Sequence, residues 1–113
     1  MRNDRGLALL FAALLAPAAW AADAPPDGAK LYQLNCKLCH GPQGTPPPGF
    51  VKKGVPSLND PEWQKKRSDD EIRKTISEGV KDTLMKAFKD DLSKAQIDAL
   101  VKQVRSLAPA AAK

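Results

Sequence analysis

With 113 residues, two cysteines and a single histidine, the chain has room for one small domain with a limited apolar core. Such domains lean on a staple, a metal or a cofactor. The net charge of +5 comes from acidic and basic residues mixed along the chain, and only 5% of residues are aromatic, so no basic stripe interleaved with aromatics points to nucleic acid.

The opening stretch, "MRNDRGLALLFAALLAPAAWA", reads as a secretory signal. Arg2 and Arg5 precede an apolar run from Gly6 to Ala16, and Ala19 and Ala21 supply the small-residue pattern that predicts cleavage after Ala21. Residues 22–113 then form the mature domain. A retained anchor is the weaker reading, because Gly6–Ala22 is short for a bilayer span and is interrupted by Pro17. No stable membrane insertion is expected after cleavage, and the expected location is the periplasm. Removing residues 1–21 takes away Arg2, Arg5 and Asp4, which lowers the net charge from +5 to +4. That balance suits an acidic protein partner.

The mature elements follow in order. Asp27 is placed to cap a helix running to about Lys37, with Leu31, Leu34 and Leu38 predicted on one apolar face. The run "GPQGTPPPGFVKKGVPS", Gly41 to Ser57, is too rich in proline and glycine for a helix interior or a central strand, and reads as a long loop. Loops of that length in so small a domain are usually functional. Asp60-Pro61 opens a short helix carrying Trp63. "SDDE" is a capping box, Ser68 with Glu71, for a helix through Ile72 and Ile76 that stops at Gly79. A second loop, Gly79 to Leu92, holds Met85 and Phe88. Ser93 with Gln96 caps the last helix, whose predicted buried face is Ile97, Leu100, Val101, Val104 and Leu107. The expected class is all-α. These helices are too few and too short to bury one another fully, so something apolar should sit among them.

"NCKLCHG" supplies that missing piece. C-x-x-C-H is the attachment pattern of a c-type haem. The thiols of Cys36 and Cys39 add to the ring's vinyl groups, and the spacing brings His40 beneath it as an iron ligand. Rival readings are weaker. A structural disulfide across two residues closes too small a loop to be useful. A thioredoxin-like pair wants a βαβ context, and a structural zinc wants four Cys or His ligands where this chain owns three. The sixth iron ligand follows by elimination. Once Met1 leaves with the signal, Met85 is the only methionine, it lies in an irregular loop, and no second histidine competes. A lone methionine is more often core filler, but a soft thioether here would raise the reduction potential and close the iron to substrate.

The mature chain resembles a class I cytochrome c from Gly28 to Leu107, with the haem motif near the N-terminus and the methionine near the C-terminus. The resemblance implies that family's fold: three to four helices wrapped around one covalently attached haem c. Gly28 and Tyr32 match the glycine and aromatic with which the first helix crosses the last, and Leu100 matches the leucine that meets them. Gln103 stands where an aromatic is common. Pro56 resembles the proline whose carbonyl accepts a hydrogen bond from the histidine Nδ1. Pro46, Pro47 and Pro48 are rival positions, though Leu58 beyond Pro56 favours the later one. Trp63 is either an amphipathic core residue or an indole that reaches a haem propionate. One departure stands out: the family's Met-Pro-x-Phe is Met85-Lys86-Ala87-Phe88 here, which predicts a freer ligand loop, a charge at the ring edge and a lysine amine that competes for iron at alkaline pH.

The expected function is a periplasmic monohaem one-electron carrier between redox proteins, not an enzyme. Lys37, Lys52, Lys53, Lys81, Lys86 and Lys89 flank the haem-bearing segments. Singly each reads as solvated surface, and together they make a basic rim for an acidic partner. The alternative is a haem-bearing subunit of a larger oxidoreductase. An open-site haem enzyme or gas carrier would require Met85 to leave the iron.

Overall fold

The computed structural model describes residues 24–109 and, before them, Ala12. The signal segment expected over residues 1–21 otherwise lies outside the described residues. Among the described residues there are helices and no strands, and none of those helices is long and apolar enough to cross a membrane.

Six helical segments follow one another: α1 (Gly28–Asn35), α2 (Lys37–His40), α3 (Pro48–Val51), α4 (Pro61–Lys66), α5 (Asp69–Glu78) and α6 (Lys94–Ser106). The local signals explain most of the boundaries. Asp27 caps α1 by accepting from the Lys30 N–H at 3.1 Å, and Asp60 caps α4 ahead of Pro61. Both capping boxes close, Ser68 with Glu71 and Ser93 with Gln96, each satisfying orphan N–H groups in both directions.

Two expectations need correction. The first helix does not run unbroken to Lys37. Cys36, at φ −120° and ψ −33°, interrupts it, and α2 begins anew after the break. Leu31, Leu34 and Leu38 do not form a buried face: Leu31 is partly buried, while Leu34, still within α1, is open. Leu34 is 72% exposed and Leu38 80% exposed, while Tyr32 is wholly buried. The second correction concerns residues 41–57. That stretch holds one helical turn, α3, with Pro48 at its start, where a missing N–H costs nothing.

The core is where α1 crosses α6, and α5 leans on α6. Tyr32 and Leu100 have no exposed surface, and Ile72, Ile76, Phe88, Ile97, Val101 and Val104 gather around them. Leu107, expected on the buried face of α6, is only partly buried, whereas Ala108 just beyond is buried. Gly28 makes the crossing possible. A Cβ there would overlap the Ala99 carbonyl oxygen and stand 3.3 Å from the Gln103 Cβ. Replacing Gly28 with alanine should therefore cost about 1–3 kcal/mol of stability through forced separation of the helices, despite alanine's better helix propensity. Denaturant melts check this, and an unchanged or raised midpoint would contradict a contact that close.

Candidate functional site

The break at Cys36 is what builds the site. Cys36 still donates its N–H to the Tyr32 carbonyl at 2.9 Å, and the short α2 is held by His40 N–H to Cys36 at 2.9 Å and Gly41 N–H to Lys37 at 2.8 Å. One helical turn thus carries Cys39 and His40 together at the end of α1. Both cysteines are half-buried free thiols. Burial, with Cys39 beside it, pushes the Cys36 thiol up to about 11, so it stays a neutral, apolar-facing group. The Tyr32 hydroxyl closes the turn from below, donating to the Gly41 carbonyl at 2.7 Å. Burial above all, and Cys36 next, push that phenol up to about 12, so it remains a donor. This bond escapes a sequence reading; the only hint is a tyrosine where a phenylalanine would pack equally well.

His40 holds the most telling atom. Its Nδ1 is buried and has no hydrogen bond of good geometry. Burial lowers the imidazole pKa, and the nearby Pro56 carbonyl partly opposes that by favouring the protonated ring. The ring is neutral near pH 7, the form that can offer a nitrogen lone pair to a metal. Of the candidate prolines, only Pro56 acts on His40 in this way.

Met85 lies in the loop after α5 and is half-buried against the main core, as are Cys36 and Trp63. Its loop is tightly made. The Val80 N–H donates to the Met85 carbonyl at 3.0 Å, and the Met85 N–H to Thr83 Oγ1 at 3.2 Å. Phe88 anchors the far end through its N–H to the Ile76 carbonyl at 3.0 Å. Gly79, at φ +71°, starts the loop; a Cβ there would lie 2.6 Å from the Met85 carbonyl oxygen, so no other residue fits. The Lys86 ammonium pairs with Asp91 at 3.2 Å and sits 4.9 Å over the Phe88 ring, both contacts at the surface.

The residues present fit a covalently attached haem. Two free thiols flank one turn of helix, a buried imidazole nitrogen awaits a better partner, and a thioether packs on the same core. Leu34, Leu38, Val80 and Leu84, on the segments that carry these groups, and Val51 at the end of α3 remain exposed; apolar surface of that kind calls for a cover. No cluster of acidic, histidine or cysteine side chains suited to a metal ion on its own occurs among the described residues.

Comparisons with known proteins agree. Residues 23–102 match the family described as "Cytochrome C oxidase, cbb3-type, subunit III". The chain is 38% identical over 53 residues to the cbb3-type cytochrome c oxidase subunit FixPc of Rhizobium leguminosarum bv. viciae, an overlap covering 47% of this chain. That overlap is only 17% of the relative's own length. Among solved structures, the KustC0563 c-type cytochrome superposes with a TM-score of 0.69 at 40% identity, covering 74% of this chain and 99% of that one. Dihydro-heme d1 dehydrogenase NirN gives a TM-score of 0.58 at 31% identity, covering 77% of this chain and 16% of that one. An all-α chain bearing C-x-x-C-H, with the helix crossing and loops described above, belongs to this family of c-type cytochrome domains: it carries covalently attached haem c and serves electron transfer.

Proposed function

We propose that the chain is an exported, periplasmic monohaem carrier that passes single electrons between redox proteins, with Cys36 and Cys39 attaching the haem and His40 and Met85 as its axial ligands. The observation that carries this reading is the partly buried His40, directly after the second of two free thiols, with its buried Nδ1 left without a hydrogen-bond partner. When bound, haem c supplies a one-electron Fe(III)/Fe(II) couple. The chain's part is to hold that couple still. Tyr32 and Gly41 lock the turn bearing His40, Pro56 fixes the imidazole tautomer, and the Gly79–Phe88 loop presents a neutral thioether. Neither proposed ligand gains or loses a proton when the iron changes charge, so little rearrangement accompanies transfer. Trp63, half-buried on the same core, is assigned to the haem pocket.

Lys37, Lys52, Lys53, Lys81, Lys86 and Lys89 are all exposed. Lys86 alone of the six forms an ion pair among the described residues. The other five are available to steer an acidic partner. Electron transfer to such a partner should slow as ionic strength rises, because exposed charges are screened within about 8–10 Å at ordinary salt. Stopped-flow rates across a salt series test this. A flat or rising rate constant would point to an apolar docking surface, and with it to the second reading.

That second reading is a subunit of a larger oxidase, supported by the similarity to an oxidase subunit. Low-salt affinity purification from the native periplasm separates the two, since a subunit would return with stoichiometric, stably bound companions.

A further inference from the structure

Met85 is carried by a stretch, residues 80–85, that belongs to no helix or strand. Among the described residues its hydrogen bonds run only within itself. The Val80 N–H donates to the Met85 carbonyl at 3.0 Å. The Thr83 hydroxyl donates to the Val80 carbonyl at 2.8 Å and accepts from the Met85 N–H at 3.2 Å. The Thr83 N–H reaches the same Val80 carbonyl at 3.2 Å. Both polar backbone groups of Met85 are thus tied to Val80, the carbonyl directly and the N–H by way of one hydroxyl.

That circuit encloses a strained turn. Asp82 has φ +62° and is the one non-glycine residue with a positive φ among the described residues. Left-handed backbone is disfavoured at a residue with a side chain and persists where its surroundings hold it. Thr83, next in the chain, makes both bonds that span the turn. The stem is fastened separately to α5, by Gly79 N–H to the Thr75 carbonyl, Phe88 N–H to Ile76 and Lys89 N–H to Ser77. Between those anchors, the circuit supplies every hydrogen bond to the Met85 backbone.

We propose that Thr83 is a positioning residue for Met85: its hydroxyl, bridging the Met85 N–H to the Val80 carbonyl, closes the segment around Asp82 and so sets how firmly the thioether is presented to the haem iron. The inference deepens the reading above and rests on Met85 being an axial ligand. Thr83 is exposed and outside the core cluster, whereas Met85 packs half-buried against it. Losing the hydroxyl therefore loosens the ligand segment while the core stays closed. A hydroxyl that merely closed a surface turn would leave the hold on the iron unchanged.

The test uses haem-loaded protein and measures how fast excess imidazole takes the sixth position of the ferric iron, a rate gated by departure of Met85. Thr83→Val keeps the branched shape and loses the hydroxyl, Thr83→Ala loses it with less bulk, and Thr83→Ser retains it. Ser93→Ala, a lost helix cap of ordinary cost to stability, is the control. Imidazole binding should quicken about three- to tenfold in Thr83→Val and Thr83→Ala, the range for one lost hydrogen bond. Thr83→Ser and Ser93→Ala should keep the wild-type rate. A wild-type rate in either hydroxyl-free variant, an equally fast Thr83→Ser, or an equal gain in Ser93→Ala would overturn the inference. Failure of the Met85 reading would appear already in the wild type, as a missing far-red sulfur-to-iron band and immediate imidazole binding. Failure of the Thr83 inference alone leaves that band in place and removes only the difference between variants.

Discussion

Replacing Cys36 and Cys39 together with alanine is expected to yield a colourless chain without a cooperative unfolding transition. The protein core explains why. Its wholly buried side chains are Tyr32 and Leu100, with a modest ring of aliphatic residues around them. Of the buried core residues, the long segments 41–57 and 79–92 supply only Phe88. Helices as short as α1 and α5 are marginal on their own in water, whatever their caps contribute. Without thioether bonds the haem is also free to leave, taking with it the surface that Leu34, Leu38, Val51, Val80 and Leu84 are placed to meet. Far-UV circular dichroism and a urea melt of the exported double variant check this. A haem-free protein that unfolds cooperatively with near-native helix content would contradict it.

Met85→Ala should convert a closed site into an open one. The variant keeps the loop, because Met85 is held by its own backbone, its carbonyl accepting from the Val80 N–H and its N–H donating to Thr83 Oγ1, and Phe88 anchors the far end. Only the thioether is lost, so the iron should become five-coordinate or take up water. Its potential should fall by on the order of 0.1 V, well inside the roughly 0.8 V span that axial ligands cover. Carbon monoxide and cyanide, excluded before, should then bind readily. Lys86 is not the expected substitute ligand while Asp91 and Phe88 engage its ammonium. Spectra and redox titration of the purified variant read all three effects; an unchanged potential with no gain of ligand binding would remove Met85 from the iron.

What the sequence makes legible divides along physical lines. The capping boxes at Ser68 and Ser93 and the aspartate caps are local, each needing residues no more than three apart, and all form as expected. The crossing of Gly28 and Tyr32 with Leu100 is legible through family resemblance, and the packing agrees. The phase of the first helix is not. Leu31, Leu34 and Leu38 fit a regular helix, but α1 packs on α6 through Tyr32 and leaves Leu34 open, and periodicity alone foresees neither that choice of face nor the break at Cys36. The proline-rich segment hides α3 for a related reason, since proline is excluded from helix interiors but welcome at their start. Gln64 gives no signal at all. It stands in a six-residue helix among lysines, and its hydrogen-bond partners are carbonyls of Leu58 and Val104 that only the folded chain brings to it. Lys86 can be seen in the sequence as a departure, yet its neutralising contacts with Asp91 and Phe88 appear only in three dimensions.

The central claim is that both axial positions of one covalently held haem are closed by His40 and Met85, leaving an iron that exchanges electrons and nothing else. The far-red sulfur-to-iron absorption band of the ferric wild-type protein, recorded with the ferrous form under carbon monoxide, tests it most directly. The account predicts a clear band and no spectral change with the gas. Absence of the band, together with prompt carbon monoxide binding, would contradict it and make an open-site haem protein the better description.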